Sequence, residues 1–84
     1  MFDDLEDAVR AHRAAAVEHH EARDRRDNAG MDAAIERIRT VADYLRARRR
    51  PELIHPLTME WVTEGRDAAE HAHYRTVVDK LLSE

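Results

Sequence analysis

The stretch from Met31 to Arg50, MDAAIERIRTVADYLRARRR, decides the fold that this sequence predicts. Its large apolar residues follow one another at steps of four, three, three and four, and they are Met31, Ile35, Ile38, Val41 and Leu45. That spacing is typical of an α-helix with one buried face, because it keeps these side chains on the same side of the helix. We therefore predict a helix over about residues 31–50 and expect the rest of the chain to cover its apolar face.

Length and composition limit the chain to one small domain. It has 84 residues, a formal net charge of −4 and no cysteine. A domain of this size buries only about 60% of the surface that its unfolded chain exposes, so a monomer is expected to be marginally stable. Because neither disulfides nor thiolate-bound metals are available, self-association is the expected source of additional stability.

Composition also restricts the compartment and the partners. No apolar run approaches the roughly 20 residues that span a bilayer, and the acidic start MFDDLEDAV is unlike a signal peptide. We therefore predict a cytoplasmic protein without membrane contact. The negative charge balance argues against a general nucleic-acid binder. Thirteen of the fourteen basic residues are arginine and alanine is abundant, which indicates the codon usage of a high-GC genome, such as that of an actinobacterium or its phage.

A further helix is predicted before this stretch, over about residues 3–27. Asp3 and Glu6 form a capping-box-like pair at its start. Gly30 is expected to end it, because glycine readily adopts the left-handed conformation that terminates helices. Helices 1 and 2 would then form an antiparallel hairpin, and one continuous helix through Gly30 is the alternative.

The C-terminal part is predicted to hold a linker, residues 51–56, and a third helix, residues 57–82. Pro51 ends helix 2, while Pro56 suits the first turn of helix 3. Helix 3 carries two apolar stripes that point in nearly opposite directions, so one hairpin cannot bury both. We predict that the second stripe pairs with another copy of the chain, and a kink near Ala72 is the alternative. The residues assigned to self-association are Trp61, Tyr74, Val77, Val78, Leu81 and Leu82.

The chain has six histidines, some of them at spacings that metal sites use. Glu70 and His73 are three residues apart, which places both on one helix face, as in carboxylate-bridged di-iron bundles. No matching glutamate of helix 1 clearly faces inward, so neither a metal nor another cofactor is predicted, and the weak candidates are His12, His19, Glu70 and His73. An alternative places His12, His19 and His20 at the edge of a self-association surface, where their protonation would weaken a dimer.

The only basic cluster lies at the end of helix 2 and consists of Arg46, Arg48, Arg49 and Arg50. Arginines of this kind can contact nucleic-acid phosphates. Cations in a last helical turn also interact favourably with the helix dipole, and no helix-turn-helix spacing is present. Contact with nucleic acid is therefore an alternative that the sequence does not favour.

The predicted function follows from the predicted architecture. Cysteine is absent, the only serine is Ser83 near the C-terminus, and three short helices offer little concave space, so an enzyme is not predicted. The fold is expected to be all-α, a helical hairpin plus a third helix in a small bundle that homodimerisation completes. Such a chain is expected to be a protein–protein interaction module, meaning an adaptor, a host-factor-binding protein or an assembly subunit, whose partner the sequence does not identify. A small DNA-contacting regulator and a His/carboxylate metal-binding bundle are the alternatives.

Overall fold

The computed structural model describes residues 2–84, which form helices joined by short turns and contain no strand. Four α-helices follow one another along the chain, and a 3₁₀ turn, Pro51–Leu53, precedes the third. They are α1 (Leu5–Asp24), α2 (Asn28–Ala47), α3 (Ile54–Thr63) and α4 (Ala68–Leu82). The prediction of an all-α fold is confirmed. None of the described helices combines the length and the apolarity that a bilayer-spanning segment needs.

Helices α1 and α2 form the predicted hairpin. The buried residues of α1 are mostly alanine, namely Ala8, Ala15, Ala16 and Ala22, whereas α2 buries Ala34 beside larger side chains. Side chains this small let two helix backbones approach closely. At the edge of the hairpin Arg37 pairs with Glu18, and at its open end the ring of Phe2 packs edge-on against Tyr44, with centroids 5.2 Å apart.

The break between α1 and α2 lies at Arg26 and not at Gly30, so the predicted role of Gly30 is wrong. Arg26 has a φ of 58°, and the next N–H, that of Asp27, donates to Ala22 O at 2.8 Å, which closes a Schellman motif. The Asp27 carboxylate then caps α2 by accepting the N–H of Gly30 at 2.9 Å. Gly30 lies inside the first turn of α2, where a Cβ would come within 2.5 Å of Asp27 Oδ2. Any residue with a Cβ at position 30 would therefore require the Asp27 carboxylate to shift.

The end of α2 repeats the same motif. Arg49 has a φ of 58°, and the N–H of Arg50 donates to Leu45 O at 2.8 Å. Helix 2 therefore ends three residues before its predicted limit. The predicted linker, residues 51–56, is also mostly helical, because the 3₁₀ turn leads directly into α3. Pro56 lies in the first turn of α3, as expected from its missing N–H.

We expect Arg49→Gly to stabilise the protein by about 1 kcal/mol. A side chain in the left-handed conformation is strained by contact between its Cβ and the following carbonyl, and glycine has no Cβ. Chemical denaturation would measure the gain. Arg48→Gly is the matched control, since Arg48 has a φ of −87° and lies over the Tyr44 ring. An Arg49→Gly variant no more stable than Arg48→Gly would contradict the expected strain.

The predicted third helix, residues 57–82, is two helices. Glu64 (φ −60°, ψ 123°) and Gly65 (φ 75°) form a type II β-turn in which Arg66 N–H donates to Thr63 O at 3.0 Å. The third residue of such a turn needs a positive φ, so glycine is required. Asp67 then caps α4, accepting the N–H of Glu70 at 3.0 Å. As a result, α4 folds back along α3 and does not continue it.

This reversal turns the second apolar stripe towards the rest of the chain, where Val78 is buried and Tyr74, Val77, Leu81 and Leu82 are half-buried. All four helices and the 3₁₀ turn contribute to one core, consisting of Ala8, Val9, Val41, Tyr44, Leu45, Leu53, Leu57 and Val78. Leu81 and Leu82 pack against the same core. The result is a flat molecule with extents of 38 × 31 × 16 Å.

Little apolar surface remains exposed. Among the large apolar residues at positions 2–84, only Val17 and Val62 are exposed, at 44% and 42% of their surface. The second apolar stripe, from which dimerisation was predicted, lies on α4 and packs partly against the core of its own chain. Dimerisation itself stays a prediction.

Candidate interaction surface

Helix α3 is held in place by a buried ion pair to α1. Arg13 donates from Nε to Glu60 Oε1 at 2.9 Å and from Nη2 to Glu60 Oε2 at 3.0 Å. The same Nη2 reaches Asp79 Oδ1 of α4 at 3.0 Å. Glu60 is only 3% exposed, so its charge depends on this bidentate partner. One arginine therefore connects three helices.

The pKa of Arg13 reflects the same contacts. Burial alone would lower it, but hydrogen bonds to Glu60 and then to Asp79 outweigh burial and raise the pKa above its ordinary value. The guanidinium is thus firmly charged in the folded state. The pair acts as a fixed attachment of α3 to the hairpin.

The C-terminal turn of α3 is capped by two histidine rings. His20 Nε2 lies 2.7 Å from Trp61 O, and His71 Nδ1 lies 2.9 Å from Glu60 O. A carbonyl oxygen can only accept, so both ring nitrogens must donate. Glu60 O also accepts the backbone N–H of Glu64 at 3.1 Å, so the His71 ring adds a second donor to it. The His20 ring supplies a donor to Trp61 O. This restrains the end of α3 from two sides.

Trp61 is fixed by a contact of its own. Its Nε1–H donates to His19 Nδ1 at 3.3 Å, and the two rings meet edge-on with centroids 5.0 Å apart. Desolvation lowers the pKa of His19, and the neighbouring His20 and Arg23 add to the effect, which keeps Nδ1 available as an acceptor. The indole is half-buried, with its polar atom satisfied and part of its ring at the surface.

The outer side of α3 carries no Asp, Glu, Lys or Arg. Charged residues make up 38% of the whole chain, yet Glu60 is the only one in this ten-residue helix, and it points inward. The residues of the outer side form what we call the α3 face, namely Ile54, His55, Thr58, Trp61 and Val62. Of these, Ile54 is half-buried and also packs against the core. Its one hydroxyl, on Thr58, already donates to Ile54 O at 2.9 Å. The α3 face therefore has few polar groups that would lose hydrogen bonds when covered.

The residues predicted for self-association are split between two surfaces. Trp61 lies on the α3 face, whereas the other five lie on α4. Val78 is 0% exposed within this chain, so it is not accessible to a second copy in this conformation. Tyr74 and Val77 are half-buried, and the Tyr74 ring contacts His73 and His55 at centroid distances of 5.1 and 6.1 Å.

The basic cluster is only partly free to bind a ligand. Arg50 donates to Leu81 O at 2.8 Å and pairs with Glu52, so it attaches the end of α4 to the loop after α2. Arg46 pairs with Asp43 at 3.3 Å. Arg48 lies over the Tyr44 ring, 5.3 Å from its centroid. Arg49 is exposed in its left-handed turn.

The weak metal candidates are not brought together. His12 is buried on α1, while His19 accepts from Trp61. Glu70 and His73 are exposed on α4. Within residues 2–84, no group of three or more His, Cys, Asp or Glu side chains is placed to hold a metal ion. His12 is buried, and His20 donates to Trp61 O. Neither residue therefore supports the alternative in which histidines lie at the edge of a self-association surface.

A groove of about 300 Å³ lies between α1 and α4. Two of the charged side chains that line it are paired, since Arg13 binds Glu60 and Asp79 and Arg10 lies 3.5 Å from Asp7. Glu6 lines the same groove and is exposed.

Sequence reasoning missed the residues that position α3. Arg13, His20, Glu60 and His71 come from three helices and meet only in the folded chain. One signal was available, because Glu60 is the single charged residue in an otherwise uncharged stretch. A lone carboxylate in such a stretch often has a specific partner.

Comparison with known proteins gives no family for this chain. No protein-family model matches it, and neither a curated protein nor a solved structure shows significant similarity.

Proposed function

We propose that this protein is a small helical protein–protein interaction module that docks through the α3 face. The observation that supports the proposal is the absence of Asp, Glu, Lys and Arg from the outer side of α3, in a chain that is otherwise densely charged. Depletion of charge with an aromatic residue at the centre is typical of the core of a protein–protein interface. An adaptor or an assembly subunit would use such a surface.

The α3 face is also rigid, which favours binding. Arg13 holds the buried side of α3, and the rings of His20 and His71 cap its C-terminal turn. Binding is therefore expected to cost little conformational entropy at the backbone of α3. Trp61 is the expected anchor, since tryptophan is enriched among the residues that dominate binding energy.

Site-specific photo-crosslinking in the native host would test this function. A benzophenone amino acid at position 62 should give discrete protein adducts, because that position lies on the α3 face. The same amino acid at position 17 is the matched control, since Val17 and Val62 are about equally exposed, at 44% and 42%. An excess of wild-type protein should suppress the adducts at position 62, whereas an excess of Val62→Glu should not.

Equal adduct patterns at positions 62 and 17 would contradict docking through α3. Adducts that a Val62→Glu competitor removes as well as wild type does would contradict it too, because that competitor carries a charge on the α3 face. Circular dichroism of Val62→Glu must show wild-type helix content for the competition to count.

A further inference from the structure

We propose that a second proton on the His19 ring releases the Trp61 side chain from α1, while the backbone of α3 stays attached to its neighbours. The release is a property of the folded chain by itself and goes beyond the proposed function. Its consequence, that acid would regulate docking through the α3 face, rests on that function.

Three histidine rings bind the C-terminal part of α3, and they differ in the direction of their hydrogen bonds. His20 Nε2 donates to Trp61 O at 2.7 Å, and His71 Nδ1 donates to Glu60 O at 2.9 Å. His19 Nδ1, by contrast, accepts the Nε1–H of Trp61 at 3.3 Å. An indole nitrogen can only donate, so the His19 ring must be neutral and carry its proton on Nε2.

A second proton therefore affects these contacts differently. The bonds from His20 and His71 to carbonyl oxygens persist in either state, because each ring nitrogen concerned already carries a proton. Positive charge on these rings would also be favourable near the last carbonyls of a helix. The contact of His19 does not persist, because both nitrogens of a charged imidazole are donors and two N–H groups would face each other. Acid is thus expected to free the indole without detaching the backbone of α3.

The ring geometry offers a charged His19 no other attractive contact with the indole. The two rings meet at 88°, with centroids 5.0 Å apart, and the indole presents its N–H to the imidazole. A cation is attracted to the face of an aromatic ring, whereas the edge of the ring is positive. A charged His19 ring is therefore repelled by Trp61 in this arrangement.

The positive groups around His19 act against a second proton. Desolvation lowers the pKa of His19, and the charges of His20 and Arg23 on the same helix lower it further. The His20 ring is 5.8 Å from the His19 ring, centroid to centroid. From α4, His71 lies at the same end of α3 and adds no negative charge. The release is therefore expected below the ordinary histidine pKa of about 6.5.

No carboxylate compensates such a proton. Glu18, the residue before His19, pairs with Arg37 of α2. Glu60 is the only carboxylate within α3, and it binds Arg13. Among residues 2–84, no Asp or Glu side chain forms an ion pair with His19. Nothing on the neighbouring helices therefore holds the charged ring in its present position.

The fluorescence of Trp61, the only tryptophan, tests the release directly. As the pH falls from about 7.5 to about 5, the emission maximum should move to longer wavelength and quenching by acrylamide should increase, because the indole becomes exposed to water. Circular dichroism should show unchanged helix content over the same range. His12 stays mostly neutral in the folded chain there, since its pKa is about 4.

His19→Asn separates the proposed hydrogen bond from other effects of acid. The side-chain oxygen of asparagine stands where Nδ1 does and accepts a hydrogen bond, but it does not titrate. This variant should keep the emission and quenching of neutral pH throughout the titration. His73→Asn is the matched control, because His73 is exposed on α4, and it should show the wild-type transition. A transition that persists in His19→Asn would overturn the inference.

Nitrogen-15 NMR of the wild type gives a test that needs no variant. At neutral pH, the His19 ring should carry its proton on Nε2, and the single indole N–H signal should shift as the ring takes up a second proton. A neutral His19 ring protonated on Nδ1 would overturn the inference. So would an emission maximum that stays constant until the helix content is lost. Crosslinking at position 62 tests the proposed function separately, because it is carried out at neutral pH.

Discussion

Replacing Arg13 by Ala is expected to lower the free energy of unfolding by about 3–5 kcal/mol, which is a large part of the stability of a small domain. The loss arises at Glu60, whose carboxylate is 3% exposed and bonded through both oxygens to Arg13. Without the guanidinium, the carboxylate would remain buried without its counter-charge. Asp79 contributes less to this loss, because its carboxylate is largely exposed.

Urea denaturation followed by circular dichroism would measure this loss. Arg10→Ala is the matched control, because Arg10 is on the same helix but is 72% exposed and pairs only with Asp7, so we expect a change below about 0.5 kcal/mol. The double replacement Arg13→Met with Glu60→Leu should recover most of the lost stability, since it removes both charges together. An Arg13→Ala variant as stable as Arg10→Ala would show that the buried pair does not hold α3.

Acid is expected to destabilise the protein through His12. Burial, assisted by the positive charge of Arg13, lowers the pKa of His12 from 6.5 to about 4, and the side chain is 4% exposed. The neutral ring is therefore favoured in the folded state, whereas the unfolded chain takes up a proton more readily. His12 contributes its full stability above pH 6.5, and this contribution is lost progressively as the pH falls from about 6.5 to about 4.

The lowered pKa of His12 also sets the size of the expected loss of stability in acid. Lowering the pH from about 7.5 to about 4.5 should reduce the unfolding free energy by roughly 2–3 kcal/mol through His12. Urea denaturation at both pH values would show it as the difference between the wild type and His12→Leu, which cannot titrate there. Ala14→Gln, exposed on the same helix, should keep the wild-type pH dependence. If His12→Leu loses as much stability as the wild type over this range, His12 is not the group responsible.

Helix α2 could be predicted from sequence because its apolar repeat is regular over its whole length. Its limits were each three residues off. Asp27 is the true N-cap, and at the other end Arg49 adopts a left-handed conformation that is usually taken by glycine. Nothing in the sequence marks Arg49 as the residue that turns the chain, since its two neighbours are also arginine.

The fold of the C-terminal part was not predicted, although the sequence carried a signal. Asp67 followed by Glu70 is a helix-start pattern, and Gly65 precedes it at the position that a type II turn requires. The sequence analysis instead predicts one helix over residues 57–82. The two apolar stripes of that predicted helix belong to two separate helices, α3 and α4.

The candidate site was predicted only in part. Trp61 is one of the residues that the sequence assigns to self-association, and it lies on the α3 face. The ion pair that holds its helix joins Arg13 and Glu60, which are 47 positions apart. No local pattern couples residues at that distance, so neither this pair nor the histidine caps could be derived before the fold was known.

By itself, the sequence determined that the chain is helical and that α2 is amphipathic, because local spacing and capping residues specify these features. Only the tertiary structure decided the direction of α4, the burial of Val78 and the lack of charge on the outer side of α3. The physical reason is that a sequence pattern states which residues share a helix face. Which of those faces is buried depends on the helix that the turns bring against it. Here the four-residue turn at Gly65 reverses the chain, so that the apolar face of α4 packs against the other helices.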